Sequence, residues 1–183
     1  MSPLTAREIA YTALFSALIA GGSFVAIPLG PVPLTLQVMF VLLAGMVLGP
    51  RLGALSVLAY LLLGLVAPVY AGGTSGTGVL FGPTGGYLWG FVAAAALAGL
   101  AARRRPDPGL PLFLVAGLAG LVPIYALGAV WLAFQLHLDP AAAVTAGVAP
   151  FVWGDVLKVL AAALAARSTV SLPLGLPSPQ RDR

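Results

Sequence analysis

Six apolar stretches joined by short connections decide most of what this chain can become. They cover about residues 9–27, 34–48, 52–66, 87–102, 112–136 and 151–166. A bilayer core about 30 Å thick takes roughly 20 mainly apolar residues per helical span. Several stretches are shorter, and a helix of about 16 residues covers only about 24 Å. Such spans need help from flanking structure or a locally thinner bilayer. A water-facing fold is excluded by charge: only 8% of the residues are charged and the mean hydropathy is +1.04, against about a quarter charged in soluble domains. The sequence therefore predicts an all-α integral membrane protein of six transmembrane helices. Residues 1–170 form one domain. The Pro-rich, polar stretch 171–183 reads as a disordered tail.

The arginines orient the bundle. Arg7 precedes the first stretch, Arg51 lies between the second and third, Arg103, Arg104 and Arg105 between the fourth and fifth, and Arg167, Arg181 and Arg183 follow the sixth. The other connections carry no Lys or Arg. Six alternating spans put all eight arginines on one face, and the positive-inside rule makes that face cytoplasmic, with both termini. An odd number of spans would split them. The formal charge of +4 thus follows from topology, and no basic stripe with interleaved aromatics suggests nucleic acid. With no cysteine in the chain, disulfides and thiol chemistry are excluded.

Local signals sharpen the ends. Thr5-Ala6-Arg7-Glu8 has the Thr-x-x-Glu form of a capping box, so the first stretch reads as a span rather than a cleaved signal. Pro28, Pro31 and Pro33 make the first outer connection rigid. Asp139-Pro140 followed by three alanines reads as an N-cap, a first-turn proline and a short helix. The outer face is expected to carry packed loops and short helical pieces.

Few residues could carry chemistry. Asp155 is the only Asp or Glu, and Lys158 the only Lys or Arg, inside the six stretches. Three residues apart, they share a helix face. Ionisable groups in a membrane usually face the bundle interior or a cavity. They read either as an internal pair that fixes packing or as polar contacts for a ligand. Gln37, one turn into the second span, offers donors and an acceptor, for a helix neighbour or a ligand, and Thr35 shares its turn. Tyr87, Trp89, Tyr125 and Trp131 either wall an apolar site or anchor the protein at the interface. The run Gly72 to Gly78, including Gly73 and Thr74, does not match a phosphate-binding loop and reads as a cover over a cavity. His137 stands alone, so no metal site is expected. Asp139 reads as the N-cap, and Asp107 and Asp182 as solvated loop charges. Ala13, Ala17 and Gly21, extended by Ala6 and Ala10, form a small-residue stripe that allows close helix approach, within the bundle or against another subunit. An intramembrane enzyme would need a nucleophile with its base, or metal ligands, and only Asp155 and Lys158 are available.

Taken together, several segments resemble the BioY family. They are Gly30-Pro31-Val32-Pro33-Leu34-Thr35-Leu36-Gln37, Leu43-Ala44-Gly45, Gly49-Pro50-Arg51-Leu52-Gly53-Ala54, Ala71-Gly72-Gly73, Gly82-Pro83-Thr84-Gly85-Gly86-Tyr87-Leu88, Gly90-Phe91, and Pro150-Phe151 with Gly154-Asp155 and Lys158. Their order and spacing match over about residues 5–166. The segment 64–70 departs, being shorter than in many relatives, which affects the shape of one outer loop. The resemblance implies the biotin-specific substrate-binding component (S component) of an energy-coupling factor transporter, with six transmembrane helices and a vitamin site near the outer face. It further implies a transmembrane coupling subunit and two ATP-binding cassette ATPases as partners, with the stripe through Ala13 and Ala17 docking on the coupling subunit. It also implies toppling of the component within the membrane. Biotin is then a ligand; no cofactor is implied. A biotin carrier that needs no ATPase is the alternative. Asp155 and Lys158 are the firmest site residues carried over. The expected location is the cytoplasmic membrane of a prokaryote.

Overall fold

The computed structural model describes residues 3–102 and 109–170. Arg103, Arg104, Arg105, Asp107 and the stretch 171–183, with Arg181, Asp182 and Arg183, lie outside the described residues. The elements are α1 (Ala6–Phe24), β1 (Ala26–Pro28), β2 (Pro33–Thr35), α2 (Gln37–Gly64), α3 (Thr77–Phe81), α4 (Gly85–Ala102), α5 (Leu110–Leu136), α6 (Pro140–Gly147) and α7 (Val152–Val170).

The capping box forms as read. Glu8 N–H donates to Thr5 Oγ1 at 3.3 Å, and Thr5 N–H donates to Glu8 Oε2 at 2.7 Å. α1 stops at Phe24, three residues before the expected end at Ile27. Proline at 28, 31 and 33 cannot continue a helix. The chain instead turns back as an antiparallel hairpin that pairs Ala26 with Thr35 and Pro28 with Pro33. The second span accordingly starts at Gln37 rather than Leu34. The hairpin is the form that the rigid, proline-rich first outer connection takes.

α2 is two spans folded at Gly49, whose φ of 84° and ψ of 179° break the helix. An L side chain rarely adopts that φ. The following Pro50 disfavours helical dihedrals at residue 49 and suits the first turn of the next helix. The arms run back alongside each other: a Cβ on Gly53 would lie 2.8 Å from Gly45 Cα, and Gln37 reaches Tyr60, 23 residues along the chain. Among the described residues, α2, α4 and α5 are each long and apolar enough to cross a membrane, and α6 with α7, bent by 51°, makes a further such span. α2 counts twice. α1, opened by Arg7 and Glu8 and so less apolar, completes six. The short helix begins at Pro140, with Asp139 accepting from Ala142 N–H at 2.9 Å.

α4 packs against the first arm of α2 near Gly45 and against the fold itself, where a Cβ on Gly99 would meet Pro50 N and Gly49 C; the tightest approach to the first arm is at Gly45. A Cβ there would stand 2.2 Å from the backbone oxygen of Ala95, so two helix backbones touch through a missing side chain. Gly45→Ala must therefore push α4 away. We expect a loss of about 1–3 kcal/mol, the usual penalty of overpacking, read as a lower thermal midpoint in detergent. An unchanged midpoint would show that the contact is looser than drawn.

The large exposed apolar side chains suit lipid. Val130 and Phe134 on α5 and Trp153 and Leu157 on α7 are 72%, 76%, 82% and 67% exposed. The described arginines Arg7, Arg51 and Arg167 lie in the first turn of α1, at the fold of α2 and in the last turn of α7. All three sit at the end of the bundle away from the hairpin and α6.

Candidate functional site

A cavity of about 310 Å³ lies beneath the hairpin, α3 and the bend between α6 and α7. That is within the size range of small-molecule sites. Its wall is mostly apolar, with Val38, Leu88, Phe91, Ile124 and Phe151 contributing, and two polar groupings also line it.

The first grouping is charged. Asp155 and Lys158 stand one helical turn apart near the start of α7, 3% and 7% exposed. Lys158 Nζ donates to Asp155 Oδ1 at 2.7 Å, and Tyr125 Oη donates to Asp155 Oδ2 at 2.6 Å. Both carboxylate oxygens thus hold a donor, and both retain lone-pair capacity. Lys158 keeps further N–H donors for a ligand. The pair is neutral as a unit, which is what makes its burial tolerable. Position fixes it: Phe151 O accepts from Asp155 N–H at 2.8 Å, so the helix starts just before the carboxylate.

The second grouping is neutral. Thr35, the last residue of β2, donates from Oγ1 to Gln37 Oε1 at 3.1 Å and accepts from Gln37 N–H at 3.3 Å. Gln37 Nε2 donates to Tyr60 Oη on the second arm of α2. The hairpin that ends α1 therefore also seats the start of α2 at the cavity.

Of the residues singled out in the sequence, Thr35, Gln37, Thr74, Tyr87, Tyr125, Asp155 and Lys158 line the cavity. Tyr87 also donates to Gly147 O at 2.8 Å and so ties α4 to the end of α6. Thr74 donates to Ala71 O at 3.0 Å. Gly73, with a φ of 71°, turns the loop beside it but does not reach the wall. Trp131 is a strut, its Nε1 donating to Gly82 O at 2.9 Å, and Trp89 is 39% exposed on the outside of α4. Neither lines the cavity. Sequence reasoning missed Tyr70 and Thr84 in the wall. Thr84 lay within the Gly82–Leu88 segment that carried the family resemblance, which was the available signal. Tyr70 had none, because a tyrosine at a span end reads as an interfacial anchor.

On α1, Phe15, Ser16 and Ile19 face the bundle. Ala6, Ala10, Ala13, Ala17 and Gly21 are all exposed, and no atom lies within 4 Å of a Cβ built on Gly21. The small-residue stripe thus faces away from this bundle rather than packing within it.

Comparison with known proteins agrees with this architecture. The profile of the BioY family matches residues 1–173. A biotin transporter BioY of Thermotoga maritima is 47% identical over 161 residues, covering 87% of this chain and 94% of the relative. A probable biotin transporter BioY of Pyrococcus horikoshii is 42% identical, covering 89% and 96%. In three dimensions the chain is similar to the crystal structure of the S-component for biotin from an ECF-type ABC transporter. The TM-score is 0.81 at 28% identity, over 93% of this chain and 96% of the other. Sharing the profile over nearly its full length, these relatives' sequence and that component's fold, this multi-pass membrane protein belongs to the BioY family.

Proposed function

We propose that the chain binds biotin and serves as the substrate-specificity subunit of an ATP-driven energy-coupling factor transporter in the cytoplasmic membrane of a prokaryote. The observation that carries the reading is the buried Asp155–Lys158 pair, tied to Tyr125 and opening on a mostly apolar cavity. Biotin offers an apolar bicycle, a ureido group with two N–H donors and one carbonyl, and a carboxylate tail. Family membership and the named relatives add the vitamin.

Charge balance sets the orientation of the ligand. The pair sums to zero, so a neutral ureido group adds no buried net charge, whereas the tail carboxylate would leave one uncompensated charge in a low-dielectric site. The ureido N–H then meets Asp155 and its carbonyl meets Lys158, with the tail toward the wetter, outer end. Biotin methyl ester is accordingly expected to bind within a few-fold of biotin, while an analogue without the ureido carbonyl loses most of its affinity. The reverse order in a competition assay would turn the ligand around.

The partners follow from the exposed stripe of α1. A coupling subunit that packs helix to helix needs close backbone approach, which Ala13, Ala17 and Gly21 allow. The chain works as a binding subunit, and two cassette ATPases supply the energy. Uptake of labelled biotin by auxotrophic cells tests this: accumulation is expected only when the coupling subunit and ATPases are co-expressed. Equal accumulation without them would establish the second reading, a carrier that needs no ATPase.

A further inference from the structure

Tyr60 does not line the cavity and is fully buried, yet it bonds a residue that does. The hydrogen-bond directions around Gln37 are fixed by one constraint. Thr35 Oγ1 accepts the backbone N–H of Gln37, so its own proton is left to donate, and it points at Gln37 Oε1. That puts the carboxamide oxygen on the β2 side and turns the NH2 toward Tyr60, whose Oη accepts one of its two protons. One N–H and one oxygen lone pair remain for the cavity.

Tyr60 is itself held. Its ring packs edge-on against Tyr70, with centroids 5.6 Å apart and an interplanar angle of 84°. Tyr70 Oη donates to Leu61 O at 2.6 Å. The Tyr70 ring lies against Gly64, where a Cβ would stand 2.2 Å from it, so that ring has no room to swing. An anchor on each side thus stops the Gln37 carboxamide from flipping or rotating.

We propose that Tyr60, acting with Thr35, is a positioning residue for the ligand. It holds Gln37 so that an adjacent N–H donor and C=O acceptor face the cavity together, a match for an amide- or urea-type edge. This rests on the proposed biotin site and adds to it a determinant outside the cavity wall.

A double-mutant cycle in biotin affinity tests the idea, using titration calorimetry on the purified protein. Tyr60→Phe removes only the hydroxyl, and Gln37→Met removes the carboxamide at similar volume. Each single change is expected to weaken binding about 5- to 20-fold, the usual effect of a lost buried hydrogen bond. Tyr60→Phe in the Gln37→Met background should cost nothing further. Should Tyr60→Phe fail to fold, Thr35→Val removes the opposite anchor and is read by the same cycle. A role in packing alone would give the same fold-loss in both backgrounds, or no loss of affinity in either, and each result overturns the proposal. Wild-type protein that does not bind biotin would instead overturn the site reading beneath it.

Discussion

Lys158→Ala is expected to be the most damaging single change in the chain. It leaves Asp155 as a buried carboxylate with only Tyr125 for a partner. Removing one member of a buried ion pair typically destabilises by about 3–5 kcal/mol. The same change removes the ligand's ammonium donor and is expected to weaken biotin binding by about 1–3 kcal/mol. The two effects separate in the double variant Lys158→Ala/Asp155→Asn, which has no uncompensated charge. Its thermal midpoint should return most of the way to wild type while its affinity stays low. Asp155→Asn alone leaves the buried Lys158 ammonium without its carboxylate, so it is destabilised as well. It should also bind weakly, because its one carbonyl oxygen must serve Tyr125, Lys158 and the ureido N–H in place of two carboxylate oxygens. If both single variants fold and bind biotin with unchanged affinity, the pair is structural only and the ligand site lies elsewhere.

The second large effect should appear in transport and not in binding. Ala13→Trp together with Ala17→Trp places two indoles on the exposed face of α1, on the side opposite Phe15 and Ile19. Neither position lines the cavity, so biotin affinity in detergent should be unchanged. Docking on a coupling subunit through close backbone approach should fail, and ATP-dependent uptake should fall to the level of cells lacking the ATPases. Normal uptake by the doubly substituted protein would show that the stripe is not the docking surface. A parallel loss of affinity would show that the indoles have disturbed the bundle.

Much of this was legible in the sequence because membranes restrict the options. The alternation of apolar stretches with arginine-bearing connections implied six spans, and it succeeded at Gly49-Pro50, where a continuous helical hydrogen-bond pattern hides two arms. Asp155 and Lys158 were legible because a charged pair in so apolar a chain has few places to go. The capping box at Thr5 and the N-cap at Asp139 are local and need no tertiary information.

The failures share a physical cause. The hairpin of Ala26–Pro28 with Pro33–Thr35 is a pairing between segments, and three prolines in ten residues signal only that no helix continues. Trp131 and Tyr87 look alike in sequence, but one braces Gly82 O and the other lines the cavity. Which face of a span points inward is set by packing, and apolar all-round helices carry little periodicity to reveal it. Tyr60 was invisible for the same reason: its role depends on the fold at Gly49 bringing it back beside Gln37.

Biotin is the proposed occupant of this cavity. The most direct test is titration calorimetry of the purified, monodisperse protein in detergent with biotin, and with riboflavin and thiamine as controls. The expected result is saturable binding near one biotin per chain, with no response to the other two vitamins. A folded preparation that does not bind biotin, or binds all three alike, would contradict biotin as the specific ligand and the roles of Asp155, Lys158 and Gln37 in holding it.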